Sequence, residues 1–135
     1  MTFPILPTGR DLAEGLFHTK RSRAAGRAFL DWFRAKEGRA TRSELNAFAV
    51  ELRGGIGAAR LSKGQFYELV GHLLDNGLVR ISPEMDPDRK GRVREVYRHI
   101  VQPIPKRRPE APSLVYNVHL FAEAWNAFFD QAQPG

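Results

Sequence analysis

Two capping boxes, each opening an apolar stripe, constrain this chain more than any other feature of it. In Thr41-Arg42-Ser43-Glu44 the hydroxyl and the carboxylate each satisfy an orphan helix amide, and Leu45, Phe48, Ala49 and Leu52 follow at helical spacing. Ser62-Lys63-Gly64-Gln65 repeats the device ahead of Phe66, Leu69, Val70, Leu73 and Leu74, with Gly77 placed as the left-handed stop. Upstream, Ala25, Ala28, Phe29, Trp32 and Phe33 predict an earlier helix that starts near Thr19 and ends at Gly38. Between the two boxes, Arg53 to Leu61 holds three glycines and does not easily continue a helix.

After the third helix, Leu78-Val79-Arg80-Ile81 reads as a short strand. Ser82 to Arg92 is a polar, turn-rich loop, and Val93 to Val101 is β-rich again. Three helices followed by strand, loop and strand is the order of a winged helix-turn-helix, so the expected fold is mainly α with a small β-hairpin. The winged core is assigned to residues 19–101. Gln102 to Ser113 contains four prolines and predicts an extended basic connector over 102–112. In the last segment, 113–135, Leu114, Val118, Phe121, Trp125 and Phe128 are spaced 4, 3, 4, 3, which is a heptad seam and predicts a C-terminal dimerisation helix. Leu120, Ala124, Ala127 and Phe129 widen its apolar face. Residues 1–18 form an N-terminal arm or short helix.

The chain has 135 residues and a formal charge of +6, the size of one small basic domain. Its 42% hydrophobic content suffices for a core. The absence of cysteine removes disulfides, thiolate zinc sites and thiol nucleophiles. Residues 113–135 carry two acids and no base, leaving +8 on residues 1–112, so a polyanion-facing part and an apolar tail are separate pieces of sequence. Arginine outnumbers lysine 16 to 5; either phosphate and guanine recognition or an arginine-rich codon usage accounts for that. Met1 to Arg10 lacks the basic start and apolar core of a signal peptide, and no apolar run approaches the ~20 residues of a membrane span. A cytoplasmic protein with no membrane partner is expected.

Leu61-Ser62-Lys63-Gly64-Gln65-Phe66-Tyr67, followed by Leu69, Leu73 and Asn76-Gly77-Leu78-Val79, resembles the recognition helix of the PadR family of transcriptional regulators. Gly91-Arg92-Val93-Arg94-Glu95-Val96-Tyr97-Arg98 looks like that family's Gly-Arg-x-Arg-x-x-Tyr wing motif, and the long glycine-rich link before the third helix is similar too. The match covers roughly residues 24–100. It departs at Thr41-Arg42-Ser43-Glu44, where the family has a His-Gly-Tyr-Glu-like start, and at Gln102-Pro103-Ile104-Pro105, where it has Leu-Thr. A plasmid or phage replication initiator with a winged domain, or another winged-helix family, is the other reading of the same motifs.

The resemblance implies a homodimeric, sequence-specific regulator of double-stranded DNA, with repression the expected sign and no cofactor or metal. In such a fold the third helix enters the major groove. Ser62, Lys63, Gln65 and Tyr67 are then its candidate contacts: Gln65 for adenine, Lys63 for guanine, and the hydroxyls for phosphates. Tyr67 is alternatively a core residue with a satisfied hydroxyl. Arg89, Lys90, Arg92 and Arg94 form a basic wing suited to flanking phosphates or the minor groove, and Arg42 is a phosphate clamp. The resemblance also places Leu114, Val118, Phe121, Trp125 and Phe128 at a dimer interface, with Trp125 a stacking platform for a small aromatic effector or plain interface packing. The four histidines are too scattered for a metal site, and no nucleophile-elbow, Walker or dinucleotide motif occurs, so no enzyme is expected. A winged helix serving as a protein-interaction module, its tail helix docked on a partner, is the rival reading.

Overall fold

The computed structural model describes residues 12–57, 59–104, 107 and 114–130. Residues 1–11, residue 58, most of the proline-rich connector and residues 131–135 lie outside the described residues, as do the side chains of Leu114 and Val115. In chain order the elements are α1 Leu12–Leu16, α2 Lys20–Ala35, β1 Arg39–Thr41, α3 Arg42–Gly54, α4 Lys63–Asp75, β2 Val79–Met85, β3 Val93–His99 and α5 Leu114–Asp130. They make a mixed fold of helices around a small antiparallel sheet.

The helix starts follow from side-chain chemistry. Both anticipated capping boxes close, with Thr41 accepting from the Glu44 amide and Ser62 from the Gln65 amide at 3.2 Å each. A third, not anticipated, opens α2: Thr19 accepts from the Ser22 amide at 3.0 Å while the Ser22 hydroxyl takes the Thr19 amide at 3.2 Å. A short serine does here what a longer carboxylate does in the usual pattern.

The sheet has three strands rather than the two of a simple hairpin. β3 lies in the centre, with β2 on one side and β1 on the other, all antiparallel. Strand β1 is only Arg39-Ala40-Thr41, paired with Arg98, Tyr97 and Val96. Three residues are too few to display a period-two pattern, so its strand character comes from its partner. The turn into it needs Gly38, which has φ +70° and whose amide bonds back to the Phe33 carbonyl at 2.8 Å. A Cβ at this position would lie 2.0 Å from the His99 ring, while the Gly38 carbonyl accepts from the His99 amide at 2.8 Å. Glycine is required here twice, by conformation and by space.

An aromatic cluster forms the core: Phe29 of α2 meets Phe66 of α4 at 5.5 Å and Phe48 of α3 at 5.9 Å, both edge-on, and Phe48 reaches Phe66 at 5.6 Å. Edge-on pairs align a positive ring edge with a negative face, adding to the area buried. Ala40, Val79 and Tyr97 present the sheet's inner face to this core. The later part of the arm joins it, since Leu12, Leu16 and Phe17 are all buried.

The tail helix departs from the expected dimer seam. Phe121 and Trp125 are 2% and 0% exposed within the single chain, so α5 spends these seam positions on its own subunit. Trp125 stacks on Phe121 and meets Phe129 at a tilt, and its indole N–H donates to the Ile100 carbonyl at 3.0 Å. Asn126 binds the Gln102 backbone in both directions, at 2.7 and 2.9 Å. These bonds strap α5 to the chain leaving β3. Phe129 closes on Phe33 and on the His99 ring. Phe128 is half-buried beneath Arg34, and of the seam residues with described side chains only Val118 is exposed. The broad stripe found its partners nearby, and the Trp125 indole, read from the sequence as a stacking platform or as interface packing, is enclosed within its own chain.

Gly38→Ala is expected to destabilise the fold by more than ~1 kcal/mol, read as a lower urea midpoint at unchanged slope. Trp125→Phe, which removes one of the two donors to the Ile100 carbonyl, the other being the Gln102 side-chain amide at 3.0 Å, and leaves a void beside it, is expected to cost about 1–3 kcal/mol in the same assay.

Candidate nucleic-acid interface

The start of α4 is an exposed turn. Ser62, Lys63, Gly64 and Gln65 all face solvent, and at Gly64 an added Cβ would meet nothing within 4 Å. The Gln65 side-chain oxygen accepts from the Ser62 amide at 3.1 Å, so reading a base edge with that oxygen means giving up half of the capping box. Tyr67 is turned inward: its hydroxyl donates to the Asn46 carbonyl oxygen on α3, and Arg42 lies 4.2 Å above its ring. Burial pushes the Tyr67 phenol above its ordinary value, against the pull of Arg42. Of its two open roles, this geometry is that of the satisfied core hydroxyl, because a local acceptor is within reach.

Arg42, itself exposed, carries the same network to the sheet, donating to the Tyr97 hydroxyl at 2.7 Å. One guanidinium therefore ties the first residue of α3 to β3 and to α4. Glu44, two residues further, accepts from Lys36 Nζ at 2.7 Å and from the Thr41 amide at 3.0 Å. The Lys36 hydrogen bond, opposed by desolvation and aided by the Thr41 bonds, holds the Glu44 carboxyl below the usual carboxylate range.

The hairpin tip is a closed turn. The Asp86 amide bonds to the Arg92 carbonyl at 2.9 Å, the Asp86 side chain accepts from the Asp88 amide at 2.9 Å, and Gly91 takes φ +78°. Arg89, Lys90 and Arg92 are exposed on it. Arg94 does not join them: it sits inside β3 and donates to Glu84 at 3.4 Å, with its Nε buried and lacking an acceptor. Of the four basic residues read as one group, the structure keeps three at the tip and turns the fourth to the sheet.

Between the tip and the start of α3 runs a groove of about 650 Å³. Arg39, Arg42, Arg89, Arg92 and Arg94 line it, against the carboxylates Glu44, Asp86 and Asp88. Sequence reasoning missed Arg39, Arg80 and Arg98, which the strand register sets side by side, and Glu84, which bonds Arg39, Arg94 and Arg98. The alternation Arg80, Ser82, Glu84 and Arg94, Val96, Arg98 carries a signal for one shared face, but only once the hairpin register is known. Arg39 needs β1 as well.

No family model, no curated protein and no solved structure matches the chain. Among the described residues no helix is long and apolar enough to cross a membrane.

Because the folded carboxyl of Glu44 titrates below its unfolded counterpart, its contribution is present above the unfolded value and is lost as pH falls through the folded one. Thermal melts stepped from pH 6 down to about pH 3 should show Glu44→Gln starting less stable and losing less than wild type across the acid limb.

Proposed function

We propose that this chain binds duplex DNA as a winged helix-turn-helix protein. The observation that carries the reading is the order α2, β1, α3, α4, β2, β3 with the sheet arranged β1-β3-β2, in which the start of α4 and the hairpin tip both stay exposed on a shared packed core. The exposed start of α4 suits a major groove: Lys63 for a guanine edge, Gln65 for adenine, Ser62 and the helix amides for a phosphate. Arg89, Lys90 and Arg92 suit flanking phosphates.

Within that class the reading narrows to a PadR-like transcriptional regulator working as a homodimer on a two-fold site. The Leu61 to Tyr67 and Gly91 to Arg98 motifs support it. With Phe121 and Trp125 enclosed in their own subunit, contact between copies falls to exposed parts of α5 such as Val118.

Fluorescence anisotropy with a mixed-sequence duplex and a palindromic pool, at about 50 and 200 mM salt, tests the reading, since several phosphate contacts cost orders of magnitude in affinity over that range. Replacing Arg89, Lys90 and Arg92 together by Ala should weaken all duplexes alike and flatten the log-log salt slope by up to about 2.7. Gly64→Ala should raise stability by about 0.5–1 kcal/mol, since it fills no occupied space, yet weaken binding by crowding the approaching backbone. Wild type that leaves both duplexes tumbling freely at the lower salt defeats the proposal.

One observation favours a second reading, a protein-interaction module. Ile81, Met85 and Val93, on one face of the hairpin, are 43%, 62% and 62% exposed. Failure to retain duplex together with a defined hetero-complex in light scattering is the outcome this alternative expects.

A further inference from the structure

The two faces of the sheet are chemically opposite. One turns Ala40, Val79 and Tyr97 to the core. On the other, the register sets Arg39 opposite Arg98 and Arg98 opposite Arg80, a row of three arginines across three strands. Like charges directly opposite one another oppose strand pairing. A single carboxylate stands among them: Glu84 accepts from Arg39 and Arg94 on one oxygen and from Arg98 on the other, the Arg98 bond at 2.8 Å. Four arginines against one glutamate leave this face strongly cationic.

We infer that this outer sheet face is a second surface for the phosphate backbone of a nucleic acid, and that Glu84 is an internal anion that limits its affinity. The inference rests on the reading of the chain as a duplex-binding protein. Three features carry it. Arg39 and Arg94 line the groove that runs to the exposed tip, so the face is continuous with the basic surface already described. Arg39 and Arg98 also border a second depression of about 280 Å³, beside Lys36, Glu37 and Gly38, so the two hollows meet at Arg39 and bring Arg94, Arg39 and Arg98 to their rims. Arg80 is exposed and has no side-chain partner among the described residues. Glu84 engages three guanidinium groups through its two oxygens, which is how such forks grip an oxyanion. Backbone phosphates offer the same oxygens repeatedly along a strand, whereas the one internal carboxylate serves one end of the row.

Glu84→Gln and Arg80→Ala test this, with Glu51→Gln, near the far end of α3, as the control for net charge alone. Each is titrated by anisotropy against a mixed-sequence duplex at about 50 and 200 mM salt and against poly-glutamate, with circular dichroism melts confirming the fold. Glu84→Gln is expected to bind duplex several-fold more tightly at the lower salt, an advantage that shrinks about 3.5-fold at the higher salt if one further phosphate is engaged. Arg80→Ala, which disturbs no internal contact, should bind more weakly with a salt slope flatter by about 0.9, and Glu51→Gln should track wild type. Folded Glu84→Gln and Arg80→Ala proteins that bind duplex as wild type does overturn the inference and leave the DNA reading standing. Tightening confined to poly-glutamate overturns it in favour of an acidic protein segment. Wild type that ignores duplex overturns both readings, which separates the two failures.

Discussion

Three residues of β1 paired to the middle of β3 hold the rest of this structure in place. Through them the end of α2, the start of α3 and the hairpin become one unit: Gly38 turns the chain, Arg39 to Thr41 make the pairing, and Thr41 at once caps α3. Because Ala40 lies opposite Tyr97 on the inner face, the phenol reaches Arg42, and Arg42 in turn covers Tyr67 on α4. The strand is short enough that its stability rests on neighbours rather than on its own propensity.

The charge of the chain is organised by the same sheet. Glu84 draws Arg39, Arg94 and Arg98 to the outer face, and the Arg39 hydrogen bond, opposed by desolvation and joined by that from Arg94, holds its carboxyl below the usual carboxylate range. Arg42, though exposed, is held in place by an aromatic hydroxyl and ring. Arg89, Lys90 and Arg92 are left at the tip with no such engagement among the described residues. Basic residues that look equivalent along the chain thus divide into structural, face-bound and exposed sets. This division, more than net charge, sets which of them are left open to solvent.

The tail helix illustrates how an apolar pattern underdetermines its partner. A 4, 3, 4, 3 spacing requires burial, and both a second copy and the same subunit satisfy it. Here the indole N–H of Trp125 finds the Ile100 carbonyl, Asn126 pairs with the Gln102 backbone, and Phe129 stacks on His99. Directional bonds to the segment after β3 tie the helix to its own chain.

The amino-acid sequence by itself determined the helix starts, the glycine stops, the hairpin and the need to bury the tail. Each depends on residues within a turn or two of one another: Thr41 with Glu44, Ser62 with Gln65, Gly77 after Leu74. Tertiary structure alone decided the third strand, the inward turn of Tyr67, the arginine row and the enclosure of Trp125. Each of these joins residues far apart in the chain, Arg39 to Arg98, Tyr67 to Asn46, Trp125 to Ile100. Local periodicity sets which face of an element is apolar; the strand register and the packing of distant elements set what that face meets.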